Sequence, residues 1–343
     1  MDLSTDYMGL SLKNPLIGSS SPLWTDINNI KLFEDCGGAA IVLHSLFEEQ
    51  LFSKQEHNVS AVDPEDAEYI TYLPDFGSYS YDAEEYFRVL QRAKESVDIP
   101  VIASINGISP EGWVEYAREV QRCGADGLEL NIYDVADNPA FTCSQVESRI
   151  FELIRAVRRG VSIPLGVKIG CFFSSIPNIV SRIEHSGVNA VVLFNRFYQP
   201  DIDLRTFEPL AKIRLSTSDE LTIRLHWMAA LHGRVDIDKA VTGGVHSGGD
   251  VIKCLAAGAN AAMMTSALLI NGIDFVREVL RDVPRWLEYH GYSSVRQLIG
   301  IMPTISLHYL KSTERVNYLR VLGSYIQQTK KNKDPEDKDG LYR

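Results

Sequence analysis

Three consecutive stretches decide the fold: Pro164-Leu-Gly-Val-Lys-Ile-Gly170, Ile176-Pro-Asn-Ile-Val-Ser-Arg-Ile-Glu-His-Ser-Gly187 and Ala190-Val-Val-Leu-Phe-Asn-Arg196. The first and third are short apolar runs that end in small or polar residues, which is the pattern of a strand buried on both faces. The middle one carries Ile176, Ile179, Val180 and Ile183 at helical spacing and is closed by Gly187, so it reads as one crossover helix. The same unit recurs in both directions. Upstream lie Pro15-Leu-Ile-Gly-Ser-Ser-Ser-Pro22, Ala40-Ile-Val-Leu-His-Ser45, Val101-Ile-Ala-Ser-Ile-Asn-Gly107 and Gly127-Leu-Glu-Leu-Asn-Ile132; downstream lie Lys239-Ala-Val-Thr-Gly-Gly-Val245 and Ala261-Ala-Met-Met-Thr-Ser-Ala267. Eight strands alternating with helices over roughly 250 residues predict an α/β fold, a (β/α)8 TIM barrel. A doubly wound sheet is the competing arrangement, weakened because no Gly-x-Gly-x-x-Gly follows the first run.

The unit is interrupted twice. Between the second and third runs, residues 46 to 100 are too many for a single crossover; a helix is expected at about 82 to 97. The preceding 46–81, with Pro64, Pro74, Gly77 and several tyrosines, is expected to be a lid over the barrel mouth. After the eighth run, helical patterns at 274 to 290 and 293 to 300 complete a barrel unit spanning 1–302. A helical extension at 303–330 and a charged, flexible tail at 331–343 follow.

Composition removes several functional classes. The chain has 343 residues, 45 acidic and 34 basic side chains and a formal net charge of −11. That balance, with no basic cluster longer than Lys330-Lys331-Asn332-Lys333, argues against nucleic-acid binding. No apolar stretch reaches the roughly 18 residues of a spanning helix, and the start lacks the features of a signal peptide, so a soluble cytoplasmic protein without a membrane partner is expected. The five cysteines are scattered without a Cys-x-x-Cys pair, so no disulfide framework, zinc site or iron–sulfur site, and no other metal, is signalled.

Chemically distinctive residues gather where the apolar runs end, and in a barrel those ends converge on one mouth. Thr242-Gly243-Gly244-Val245 and Met263-Met264-Thr265-Ser266 lie after the seventh and eighth runs, where barrels commonly bind phosphate; a phosphorylated ligand is expected there. Lys168 sits in the fifth run between Gly166 and Gly170, which would leave room for a planar group. As a barrel lysine it reads equally as a point charge against an anion or as a Schiff-base nucleophile. Asn106, Asn131 and Asn195 close the third, fourth and sixth runs and would suit a heteroaromatic ligand with several carbonyl and N–H groups.

Together, Ser19-Ser20-Ser21-Pro22, Gly127-Leu-Glu-Leu-Asn131, Pro164-Leu-Gly-Val-Lys168, Thr242-Gly-Gly-Val245 with Gly248 to Asp250, and Ala256-Ala-Gly-Ala259 resemble the dihydroorotate dehydrogenase family, especially its soluble class 1 branch. The resemblance runs from about residue 3 to 300. It implies FMN as cofactor and a reaction in which a base removes the C5 proton of dihydroorotate while hydride passes from C6 to the flavin. It implies that Ser20, Ser45, Asn131 and Lys168 lie along the flavin, that Gly243, Gly244, Thr265 and Ser266 hold its phosphate, and that Asn195 faces a small-molecule substrate. A homodimer is expected from the same likeness. Because the chain carries no iron–sulfur cysteines, electrons would leave through a small molecule, oxygen or a separate acceptor protein.

The departures fall on the substrate side. The family's Asn-x-Ser-Cys-Pro-Asn (or Ser-Pro-Asn) segment is here Asn131-Ile-Tyr-Asp-Val-Ala-Asp137, which puts Asp134 where the catalytic thiol or hydroxyl belongs. Tyr133 and Cys143 lie nearby as alternative acids or bases. His44 replaces the lysine of Thr-Lys-Ser, a substitution expected to make the local charge depend on pH. The orotate-binding lid segment is replaced by Tyr69-Ile-Thr-Tyr-Leu-Pro-Asp75. The expectation is therefore an FMN-dependent oxidoreductase of a CH–CH bond with Asp134, Lys168 and His44 as catalytic residues. The alternatives are a different cyclic amide or enone as substrate, a catalytically silent flavin-binding subunit, and a non-redox Schiff-base barrel.

Overall fold

Each of the eight apolar runs forms a strand, and the eight close into a parallel barrel. The computed structural model describes residues 1–47, 83–106, 110–133, 136–196, 201–210, 214–302, 316 and 318–323. In chain order the strands are β1 (Thr5–Tyr7), β2 (Leu10–Leu12), β3 (Leu16–Gly18), β4 (Ala40–Phe47), β5 (Val101–Asn106), β6 (Gly127–Asn131), β7 (Leu165–Ile169), β8 (Ala190–Leu193), β9 (Asp201–Ile202), β10 (Pro209–Leu210), β11 (Asp238–Thr242) and β12 (Ala261–Met264). The helices are α1 (Ile27–Asp35), α2 (Ala83–Ser96), α3 (Pro110–Arg122), α4 (Cys143–Gly160), α5 (Ile176–Glu184), α6 (Leu221–Leu231), α7 (Gly248–Ala256), α8 (Ser266–Asn271) and α9 (Phe275–Tyr289). The barrel order is β3-β4-β5-β6-β7-β8-β11-β12, with β12 pairing back on β3.

Alternation along the strands sorts side chains into two cores. Leu128, Leu130, Val167, Ile169 and Leu193 face the helices, whereas Ile17, Val42, Ile102, Val192, Ala240 and Met263 fill the barrel interior. The interior core is completed by a β1–β2 hairpin that the sequence pattern does not announce. Its turn residues Met8 and Gly9 both have positive φ, 58° and 77°, the conformation of a tight two-residue hairpin. Tyr7, Met8 and Leu12 are buried with the interior strands. A Cβ on Gly166 would sit 3.2 Å from the sulfur of Met8, so that glycine makes room for the hairpin, not for a ligand as its place beside Lys168 implies.

Two further expectations need correction. The stretch 293–300 is a single 3-10 turn, Val295–Gln297, not a helix. β4 runs on to Phe47, two residues into the expected lid, and the rest of that segment lies outside the described residues. The chain divides into two units, Met1–Met302 and Pro303–Arg343; of the second, residues 318–323 are helical and the remainder lies almost entirely outside the described residues. Among the described residues, no helix is long and apolar enough to cross a membrane.

Candidate active site

The barrel's pairing register stacks its polar residues in layers. Ser104, Glu129 and Gly166 are opposite one another on β5, β6 and β7; one layer nearer the C-terminal ends, Asn106, Asn131 and Lys168 are in register. A bulge in β4 between Val42 and Ser45 brings Ser45 opposite Ser104. A hydroxyl chain results: Ser20 Oγ lies 3.3 Å from Ser45 Oγ, which lies 2.8 Å from Ser104 Oγ and accepts from Asn131 Nδ2 at 3.3 Å. Ser45, Ser104, Asn106, Asn131 and Lys168 are all buried, yet Asn131 Oδ1 has no hydrogen-bond partner among the described residues. An orphaned buried acceptor is costly, and at the mouth of a barrel it could accept from a ligand donor.

Lys168 Nζ lies 3.5 Å from Glu129 Oε1, and both side chains are buried. Burial pushes the Glu129 carboxyl above its usual range, and the Lys168 ammonium draws it back. Glu129 is a residue that the sequence reading passed over, although it stands on the interior-facing alternation of an apolar strand, two positions before Asn131.

His44 is 1% exposed and packs its ring edge-on against Tyr86 of α2, with centroids 5.0 Å apart. Burial lowers its pKa to about 4, so it is neutral near neutral pH. The expected pH-dependent charge therefore moves into the acid range.

The phosphate-type loops also converge. Gly243 and Gly244 have φ of 83° and 89°, which disfavours any side chain. A Cβ on Gly243 would come within 2.7 Å of Arg224 Nη2, and one on Gly244 within 2.6 Å of the Leu221 nitrogen. The two glycines thus let α6 approach the loop. Arg224, overlooked in sequence because it lies in an apolar helix, is buried and donates to the carbonyls of Thr242 (2.7 Å) and Glu220 (2.6 Å). Ser216 ties the loops together: its N–H donates to Ser266 Oγ at 3.0 Å, and its Oγ accepts from the Gly244 N–H at 3.3 Å. Thr265 Oγ1 donates to the Ser19 carbonyl at 3.3 Å, and Ser19 Oγ lies 3.0 Å from Thr242 Oγ1.

Asn195 follows β8, and its Nδ2 donates to the Ile132 carbonyl at 2.7 Å. It borders a cavity of about 520 Å³ also lined by Tyr133, Phe141, Cys143, Phe172 and Phe173. Among the described residues that line the cavity, the one charged side chain is Glu147, paired with Arg182 at 2.5 Å. Asp134 lies outside the described residues. Cys143 is the exposed first residue of α4, behind a Thr142–Gln145 capping box. No group of three or more His, Cys, Asp or Glu that could hold a metal occurs among the described residues.

Comparison with known proteins identifies relatives of the whole barrel. The chain is 28% identical to the catalytic subunit of dihydroorotate dehydrogenase B (NAD(+)) from Pyrococcus abyssi, over 87% of this chain and 98% of that one. It is 30% identical to the protein of the same name from Methanocella arvoryzae, over 78% of this chain and 87% of that one. A protein from Aeropyrum pernix, provisionally named dihydroorotate dehydrogenase A (fumarate), is 25% identical over 87% of this chain and 97% of its own. The dihydroorotate dehydrogenase family model matches residues 2–287, which take in the whole barrel. The chain belongs to the dihydroorotate dehydrogenase family.

Proposed function

We propose that the chain is an FMN-dependent oxidoreductase acting on a CH–CH bond next to a carbonyl, with dihydroorotate to orotate, a step of pyrimidine biosynthesis, as its nominal reaction. The observation that carries this reading is the pairing in register of Asn131 and Lys168, an unpartnered buried acceptor beside a buried cation. That pair suits the polar edge of a flavin: Asn131 Oδ1 would accept from a ring N–H, and Lys168 would face the edge where negative charge develops on reduction. FMN, when bound, supplies the two-electron acceptor that these side chains lack. Ser20 and Ser45 would continue the polar row along the ring. Gly243, Gly244, Thr265 and Ser266 would hold the phosphate, with the Arg224 guanidinium behind Gly243 adding positive potential.

Asn195 would orient the substrate, and Asp134 would take the proton from its C5. A carboxylate serves as a general base when its surroundings raise its proton affinity. His44, neutral above about pH 4, would contribute hydrogen bonding and shape rather than charge. The carboxylate beside Lys168 makes an ion-pairing lysine better supported than a Schiff-base nucleophile.

Anaerobic titration of the flavin-loaded protein with dihydroorotate tests the reading. Bleaching of the flavin band is expected, and a flavin that no donor in a panel reduces would mean a catalytically silent subunit. A second reading, another cyclic amide or enone as substrate, is favoured by the cavity beside Asn195. Among the described residues that line it there is no Lys or Arg to balance a substrate carboxylate. Bleaching by neutral donors but not by dihydroorotate would establish it. For reoxidation we propose a small-molecule acceptor or a separate acceptor protein, and a homodimer as the working assembly.

A further inference from the structure

The barrel interior below the proposed flavin is not a neutral packing. Glu129 stands one layer beneath Lys168, on the neighbouring strand, opposite Ser104 and Gly166. Its carboxylate is fully enclosed, 3.5 Å from the ammonium. Below lies the hairpin plug, where the buried Tyr7 hydroxyl has no hydrogen-bond partner among the described residues. Enclosing a carboxylate costs several kcal/mol unless a cation offsets it, and an apolar side chain at residue 129 would fill the same space without that cost. The pair therefore calls for a role beyond stability.

We propose that Glu129 is a positioning residue that anchors the Lys168 ammonium from below and offsets its charge, thereby setting how strongly the site favours an anionic, reduced ring. The inference rests on the flavin reading given above. Its physical content is a charge balance: with Glu129 ionised, the floor presents a nearly neutral pair, and with that charge removed it presents a bare cation. Unit charges at such distances in a partly buried setting interact by several kcal/mol, enough to move an equilibrium by more than a factor of ten.

The test compares the FMN-loaded wild type with Glu129→Gln, using sulfite binding and the two-electron midpoint potential. Sulfite forms an anionic flavin adduct and so reports positive charge near the ring. Glu129→Gln is expected to bind sulfite at least tenfold more tightly and to raise the potential by at least about 30 mV, the equivalent of a factor of ten for a two-electron couple. Glu129→Asp, which keeps the charge but draws it back, should shift both in the same direction by less, and it carries the test should the glutamine variant fail to fold. In a Lys168→Gln background the Glu129→Gln effect should disappear, because without the ammonium the enclosed carboxyl takes up a proton and the glutamine then changes no charge. Unchanged sulfite affinity and potential in folded, FMN-loaded variants would overturn the inference and leave the flavin reading standing. An effect that persists without Lys168 would overturn it as well. A wild type that takes up no FMN would remove both.

Discussion

The two sides of the barrel mouth are built differently, although one strand, β6, serves both. On the floor, Glu129 and Asn131 are locked by register to Ser104, Asn106 and Lys168, and hydroxyl contacts from Ser104 to Ser45 and from Ser45 to Ser20 link two more strand ends. On the flank, the chain leaves β6 at Asn131 and Tyr133 lines an aromatic cavity, while Asp134, the proposed base, lies outside the described residues. Apart from Ser20, which follows β3, these floor side chains belong to paired strands, whereas Tyr133 lies beyond the end of β6. On the proposed reading, the cofactor end is thus held by the barrel itself, and the substrate end is where the chain departs from the family's motif.

The largest expected effect probes the flank. Asp134→Ala should lower the rate of flavin reduction by a factor of about 10² to 10⁴, the usual contribution of a positioned general base, with FMN content unchanged. An unaltered rate in stopped-flow absorbance would remove Asp134 as the base.

The next prediction concerns the floor. A histidine whose folded pKa lies below its free value contributes its full stability above about pH 6.5 and loses it as pH falls. With His44 at about 4, that loss amounts to about 3 kcal/mol across the interval. Urea unfolding between pH 7 and 4 should show this slope in the wild type and a markedly flatter one in His44→Gln.

Gly243→Ala combines positive φ with the approach of Arg224, and should cost about 1–3 kcal/mol in thermal or urea unfolding. It should also weaken FMN binding about tenfold, equivalent to about 1.4 kcal/mol. A stable variant with wild-type FMN affinity would detach this loop from the phosphate. The smallest effect is expected on the flank again. Cys143→Ser replaces an exposed residue and should change stability by no more than about 0.5 kcal/mol. Its rate should remain within a factor of about two, and a far larger loss would transfer the base role from Asp134 to Cys143.

The eight barrel strands are legible in the sequence because each is an apolar run bounded by small or polar residues, and a closed parallel sheet needs nothing more to declare itself. The β1–β2 plug is not legible: its strands have three residues each, and the partners of Met8 are distant glycines whose spare volume mimics room for a ligand. Asn131, Lys168 and the Gly243-Gly244 pair can be picked out by residue type and position. Glu129 and Arg224 cannot be weighed in the same way, because their importance lies in burial and in contacts made across the barrel wall. His44 is visible as a substitution, but its low pKa follows from enclosure beside Tyr86, which only the packing of α2 reveals.

The most direct test of the account is to measure the flavin itself: absorption of the purified protein, followed by acid release, identification and counting of the cofactor. The floor described above predicts a yellow protein releasing one FMN per chain, or taking up one FMN when it is supplied. A colourless protein that also fails to bind added FMN would contradict the account at its centre.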